Sequence, residues 1–224
     1  MIVAIHQPEH LPWRGFLRKM QVADVFVVLD DVQFTKNNRQ NRNQIVSLSG
    51  EMQWITVPVV GKGRLSANIA STRISYSTPW QRSYLNRLHS AYSRYPHFPE
   101  LYNDIEHVIL CASESLFDLN ISLLHLLCDR FHITTQIVYS SRLAISDVKS
   151  ERLVSILNAL RADTYLAGEG GAGYMDLNIF AAAGIKVKFN VFDPPTYEAL
   201  NGYNPGVSAV DALFALGPRA ANWI

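Results

Sequence analysis

The chain has 224 residues, 48% of them hydrophobic, enough to bury a sizeable core, and a single domain over residues 1–224 is expected. Its formal net charge of +1 argues against a dedicated binder of nucleic acid or anionic membrane, which needs a strong basic excess, so any charged ligand must be met locally. The opening run Met1 to Ile5 is too short for a signal peptide and no apolar run approaches the roughly 20 residues of a membrane span, so a cytoplasmic protein is expected.

An apolar strand, Ile2 to Ile5, leads into the polar, proline-punctuated segment His6-Gln7-Pro8-Glu9-His10-Leu11-Pro12-Trp13. A helix is predicted from about Pro12 to Ala23, with Pro12 suited to the first helical position and Leu11, Phe16, Met20 and Ala23 on one side. A second apolar strand, Val25 to Leu29, ends on Asp30-Asp31-Val32-Gln33. Strands apolar throughout read as buried parallel sheet, and strand, helix and strand in succession fit a right-handed βαβ unit. Both strands therefore deliver His, Gln and carboxylates to their carboxyl ends, the edge at which open α/β sheets bind ligands.

The segment Thr35 to Asn43 is polar throughout, and two strand-like runs, Ile45 to Leu48 and Trp54 to Val60, follow, joined near Ser49-Gly50. This pattern predicts a loop and β-hairpin, spanning about 41–60, inserted at the sheet edge. Gly61-Lys62-Gly63-Arg64 reads as a cationic loop able to close over an anion. From Pro79 to about Arg130 the periodicity turns helical, a central helical segment over about 79–131 that begins with Trp80, Tyr84, Leu88, Ala91 and Tyr95. Strands return at Gln136 to Tyr139, Thr164 to Ala167 and Val187 to Phe192, separated by helices near Glu151 to Leu160 and Tyr174 to Ala183. A last helix, Ser208 to Leu216, takes Ser208 as its N-cap and ends at Gly217-Pro218. The fold class is α/β: a Rossmann-like, mostly parallel sheet flanked by helices, with the hairpin and helical segment inserted. The two cysteines, Cys111 and Cys128, fall in predicted helices and read as core thiols rather than as a disulfide or zinc framework.

Three groups of residues carry candidate chemistry. His6, at a strand end, is suited to act as base, acid or nucleophile near neutral pH; the alternative is a histidine that caps the next turn or bonds Asp30. Asp30 and Asp31 point to opposite faces if their strand continues, so one of them is expected to orient His6 as a dyad while the other caps or ion-pairs. A metal is ranked below the dyad, because the usual helical spacing of His and Glu ligands is missing. Gln7 reads as a positioning amide, and Trp13 as the one tryptophan, among Trp13, Trp54 and Trp80, placed to stack on a sugar or base rather than to fill the core.

Lys36, Arg39, Arg42, Lys62 and Arg64 form the chain's strongest charge excess, with Glu51 as the one acid after Gln33 in that stretch. Such a group suits phosphate or pyrophosphate, although a solvated hairpin face explains it too; Arg42, flanked by Gln40 and Asn41, is assigned to the site, and Arg39 and Lys62 to the solvated face. Gly168-Glu169-Gly170-Gly171-Ala172-Gly173 follows a strand and precedes a helix, but it lacks the Rossmann and P-loop spacings, and Glu169 would repel phosphate, so a tight turn explains it equally well. Lys149-Ser150-Glu151-Arg152 opens a helix, with Ser150 read as its cap.

The strings His6-Gln7-Pro8, Leu11-Pro12-Trp13, Gly15-Phe16, Lys19, Ala23-Asp24, Leu29 to Phe34, Lys36, Gln40-Asn41-Arg42 and Trp54 to Pro58 resemble the WbqC-like proteins in spacing and identity. The resemblance continues through Lys149 to Leu153, Thr164 to Gly168, Gly171-Ala172, Tyr174 to Asp176, Ala183 to Ile185 and Ser208 to Gly217, so it covers nearly the whole chain. The chain departs from the pattern at Ala167, where serine is frequent, and at His10, where an aromatic is frequent, so no mechanism is built on either. The resemblance implies a bacterial protein of the kind encoded beside genes for O-antigen, other surface glycans or natural products. It extends to an enzyme that modifies an amino sugar by acyl or aminoacyl transfer from an activated donor, either a nucleotide sugar or a carrier-bound or coenzyme A thioester. In that reading His6 deprotonates the acceptor, Gln7, Gln33, Gln40 and Asn41 hold polar groups, Arg42 and Lys36 bind phosphate, and a homodimer through the central helices is expected. The alternatives are a nucleotidyltransferase, disfavoured because three residues separate His6 from His10 where His-x-x-His is usual, and a non-catalytic module that binds nucleotide sugars or carrier proteins.

Overall fold

The computed structural model describes residues 1–61, 67–173 and 175–224. Contacts gather the chain into two compact units, the first made of Met1–Gln7, Gly15–Asp31 and Ile133–Asp193, the second of Pro8–Arg14, Val32–His132 and Pro194–Ile224.

The first unit is built on β1 (Ile2–His6), β2 (Val25–Val28), β5 (Gln136–Tyr139), β6 (Thr164–Gly168) and β7 (Lys186–Asn190), in the order β5-β2-β1-β6-β7. Every pairing is parallel: Val3 lies opposite both Val25 and Tyr165, Val27 opposite Val138, and Ala167 opposite Phe189. The central strands are apolar on both faces and buried through Val3 to Ile5 and Val25 to Val28. Three helices accompany the sheet: α1 (Arg14–Val22), α5 (Lys149–Ala159) and α6 (Leu177–Ala182). Ile156 and Leu157 from α5 and Phe180 from α6 join Val3, Val27 and Tyr165 in one core. On α1, Phe16, Leu17 and Met20 recur at helical spacing and are buried.

In the second unit, β3 (Arg42–Val46) and β4 (Met52–Thr56) form the antiparallel hairpin, with Arg42 opposite Thr56 and Gln44 opposite Trp54. Three helices follow, α2 (Trp80–Tyr92), α3 (Phe98–Leu110) and α4 (Leu116–Arg130), and α7 (Val210–Leu216) closes the set. Tyr92 and Phe214 stack with ring centroids 4.5 Å apart, joining α2 to α7. Ser115 caps α4 by accepting a hydrogen bond from the Asp118 N–H at 3.1 Å.

The parallel strands fall close to where the patterning put them, but β3 starts earlier, at Arg42, β4 runs Met52–Thr56 rather than on to Val60, and the hairpin forms a sheet of its own; several helix termini also differ. The cap position of α7 falls on Ala209 rather than Ser208, although Ser208 Oγ still accepts the Val210 N–H at 3.4 Å while its backbone forms an isolated antiparallel bridge with Trp13. As expected, α7 ends at Leu216 with Gly217 as its C-cap, and a separate 3-10 turn over Gly217–Trp223 follows. Ser150 does not cap α5, because its Oγ accepts the Asp176 N–H at 3.1 Å. Asp176 itself caps α6, which starts at Leu177, and Tyr174 lies outside the described residues. Cys128 is buried, with its thiol pushed up to about 12 by burial and by Asp129, but Cys111 sits past the end of α3 and is exposed, so only one of the two is a core thiol. No described helix is long and apolar enough to cross a membrane.

Candidate functional site

The order β5-β2-β1-β6-β7 reverses at β1, with β2 and β5 to one side and β6 and β7 to the other. In open parallel sheets the crevice at the carboxyl ends of such a reversal is the ligand-binding position, and here those ends carry His6 and Gly168.

His6 is half-buried where β1 ends. Its Nδ1 lies 2.9 Å from the Gln7 carbonyl, which can only accept, so Nδ1 carries the proton and Nε2 keeps its lone pair. No hydrogen bond to Nε2 occurs among the described residues. The ring meets Phe16 edge-on at 5.0 Å. Although part of its surface stays exposed, burial first and the Lys19 ammonium second lower the His6 pKa to about 3, against a smaller opposing effect from the Gln7 carbonyl. The imidazole is therefore neutral at physiological pH. Lys19 itself is buried, and its Nζ donates to the Ile5 carbonyl at 2.8 Å.

Asp30 and Asp31 do not divide between opposite faces, because β2 stops at Val28 and strand alternation no longer governs them. Both carboxylates reach Ser140, which follows β5 directly. The Ser140 hydroxyl has one proton for two carboxylates, and other donors supply the rest. Asp30 also accepts the Ser141 N–H at 2.9 Å and the Ser141 hydroxyl at 2.6 Å, and Asp31 takes Arg152 Nη2 at 2.6 Å. No hydrogen bond joins either carboxylate to His6 among the described residues, so the expected dyad gives way to an imidazole oriented by the Gln7 carbonyl. No group of three or more His, Cys, Asp or Glu among the described residues is arranged to hold a metal ion.

The remaining candidates belong to the second unit. Trp13 is half-buried at its bridge with Ser208, and Gln33 is exposed at an isolated bridge with Asn68. Lys36 is exposed, while Lys62 and Arg64 lie outside the described residues. Gln40 is buried and structural: its side-chain oxygen accepts the Thr35 N–H at 2.8 Å, and its carbonyl accepts from Asn120 at 2.7 Å. Asn41 is buried too, donating to the Val57 carbonyl at 3.0 Å and leaving Oδ1 without a partner. Arg42 lies over the Trp54 ring, its Cζ 4.0 Å from the centroid, and its buried Nε has no partner. Arg39 is no free solvated cation, since it donates to Asn43 Oδ1 and to the Gly206 carbonyl.

His10 is fully buried between Asn120 Oδ1 at 2.9 Å and the Tyr84 hydroxyl at 2.8 Å. Asn120 donates through Nδ2 to Gln40, so its Oδ1 accepts from His10 Nδ1–H, and Nε2 accepts from Tyr84. Both ring nitrogens are spent, and burial lowers the pKa to about 4. The segment after His10 is strained, with Leu11 at φ 42°, and Asn43 Nδ2 holds it by donating to the carbonyls of His10 at 3.2 Å and Leu11 at 2.7 Å.

Sequence reasoning missed Ser140, Ser141, Lys19 and Asn43 as site-shaping residues. Ser140-Ser141 carried one usable signal, two hydroxyls directly after a predicted strand of the same sheet.

The parallel five-stranded sheet, reversing at the strand that His6 ends, makes this an α/β protein of the open-sheet class. The chain belongs to the WbqC-like protein family, which it matches over residues 7–223. It is 34% identical over 225 residues to an uncharacterized protein of Mycobacterium tuberculosis (strain ATCC 25618 / H37Rv), covering 99% of this chain and 96% of that relative. No solved structure matches the chain.

Proposed function

We propose that the protein is a transferase of bacterial surface-glycan or related secondary-metabolite assembly that modifies an amino sugar, moving an acyl or aminoacyl group from an activated donor. The observation that carries this reading is His6: its Nδ1–H is fixed on the Gln7 carbonyl, its Nε2 keeps its lone pair, and it ends the central strand at the sheet reversal. As the acceptor nitrogen attacks the donor's carbonyl carbon, Nε2 takes the proton that nitrogen loses and returns it to the departing thiolate or phosphate. Gln7 sets the ring's tautomer. A basicity this low in the resting state suits a group whose pKa rises when an anionic donor offsets the Lys19 charge, since Lys19 is the second cause of the depression.

Asp30 and Asp31, held by Ser140, Ser141 and Arg152, supply a rigid acidic wall to the end of β2, complementary to an acceptor amine. The test is turnover with nucleotide-linked amino sugars as acceptors and coenzyme A or carrier thioesters as donors, comparing wild type with His6→Ala. A loss of about a hundredfold or more in kcat for His6→Ala is expected. Full turnover by His6→Ala sinks the role given to the imidazole.

A further inference from the structure

We infer that Arg42 and Trp54 form a phosphate-recognition subsite on the hairpin, in which the indole holds the guanidinium flat and leaves its donors for a phosphoryl oxyanion of the activated donor. This rests on the transferase reading above, because it assigns the group that anchors that reaction's donor.

Two arginines lie near one ring: the Cζ of Arg42 is 4.0 Å and that of Arg39 5.4 Å from the Trp54 centroid. Their donors have different fates. Arg39 spends its guanidinium on Asn43 Oδ1 and the Gly206 carbonyl. The Arg42 guanidinium makes no hydrogen bond and no ion pair among the described residues, and its Nε is buried with no acceptor. Buried donors in folded proteins are nearly always paired, so an arginine packed against an aromatic face with its Nε unpaired is a site awaiting an acceptor. Neither arginine has a carboxylate partner among the described residues, so the two positive charges beside Trp54 are not neutralised by the fold.

The rest of the hairpin keeps the platform still. Trp54 lies opposite Gln44 in the β3-β4 ladder, and its carbonyl accepts from Arg87 Nη1 at 2.9 Å. The indole packs against the guanidinium before any ligand arrives, and because Nε is buried the fork-shaped, two-point contact falls to the two Nη groups. A phosphoryl group offers two such oxygens. The diphosphate of a nucleotide sugar and the phosphates of coenzyme A share this chemistry, so a comparison of ligands is needed to separate them.

The experiment is calorimetric titration of the full chain with inorganic pyrophosphate, uridine diphosphate and coenzyme A, for wild type, Arg42→Lys, Trp54→Phe and Trp54→Ala. Wild type is expected to bind at least one probe, more weakly as salt is raised. Arg42→Lys keeps the charge but removes Nε and the fork, and it should weaken binding about tenfold with an unchanged melting temperature. Trp54→Ala should weaken it similarly, and Trp54→Phe should restore affinity to within about threefold of wild type. The probe bound most tightly names the donor class.

The subsite is overturned if wild type binds none of the three, if Arg42→Lys binds as wild type does, or if Trp54→Phe is as weak as Trp54→Ala. Binding is read without turnover. A chain that binds as expected while His6→Ala keeps full activity therefore upholds the subsite and overturns the catalytic reading alone.

Discussion

Two histidines four positions apart in the chain have different chemistry because of what their ring nitrogens touch. His10 has both nitrogens taken, by Asn120 and Tyr84, and is a structural pin. His6 has one nitrogen taken, by the Gln7 carbonyl, and keeps the other. Its pKa near 3 predicts that kcat/KM carries no His6 inflection between about pH 5 and pH 8, so a pH–rate profile with a limb near the ordinary histidine value of about 6.5, removed by His6→Ala, would contradict the environment described. The His10 pin gives a separate expectation. Asn120→Ala takes an acceptor from His10 and a donor from the Gln40 carbonyl, and should cost about 2 to 3 kcal/mol in denaturant unfolding without touching His6.

Among the elements, β3 does more than pair with β4. Its Asn43 clamps the strained turn at Leu11 and takes Arg39 on the amide oxygen, so Asn43→Ala should cost about 2 to 3 kcal/mol and speed amide hydrogen exchange across Glu9 to Leu11. In α7, the fully buried Asp211 accepts from the hydroxyls of Tyr92, at 2.9 Å, and Tyr197. Tyr197→Phe removes one of two donors and should cost about 1 kcal/mol, whereas Asp211→Ala orphans both hydroxyls and should cost about 3 kcal/mol; equal costs would mean that the carboxylate holds no more than one of them. These contacts show how far the sequence could be read. The parallel strands were legible because burial on both faces writes an unbroken apolar run, and Gln136 to Tyr139 was read with the bounds the strand has. The hairpin was legible in its two strand-like runs parted near Ser49-Gly50. Helix caps were less so: Ser150 looks like a cap locally but is used by Asp176, far along the chain, and Ser208 stands one residue before the cap position of α7. For the same reason the partners of Asp30 and Asp31 could not be read, since Ser140, Ser141 and Arg152 reach them only after β5 has paired with β2.

For the whole molecule, a net charge of +1 leaves little general charge repulsion, so the pH dependence of stability falls to particular buried groups. His6 and His10 have folded pKa values of about 3 and about 4, below the unfolded value of 6.5, so the unfolded chain takes up protons first as acid is added. Stability is thus at its full value above about pH 6.5 and is lost as the pH falls towards 4, by about 3 kcal/mol from the fully buried His10 and by less from His6, which keeps exposed surface. Asp211 acts in the opposite direction, because burial raises its pKa and its folded form takes up a proton before the unfolded one does. Thermal melts at pH 7, 5.5 and 4.5 should therefore show a monotonic fall that His10→Gln lessens; no fall would rule out the buried neutral imidazole. The order in which the sheet is written along the chain has one more effect. Its central strand, β1, is made well before its neighbour β6, which follows only after the hairpin and the three helices α2 to α4, so Val3 waits for Tyr165. During synthesis β1 and β2 therefore wait as an incomplete, apolar two-stranded edge, which exposes them to chaperones and to aggregation, and the distant pairings that complete the sheet should make folding of the first unit slow.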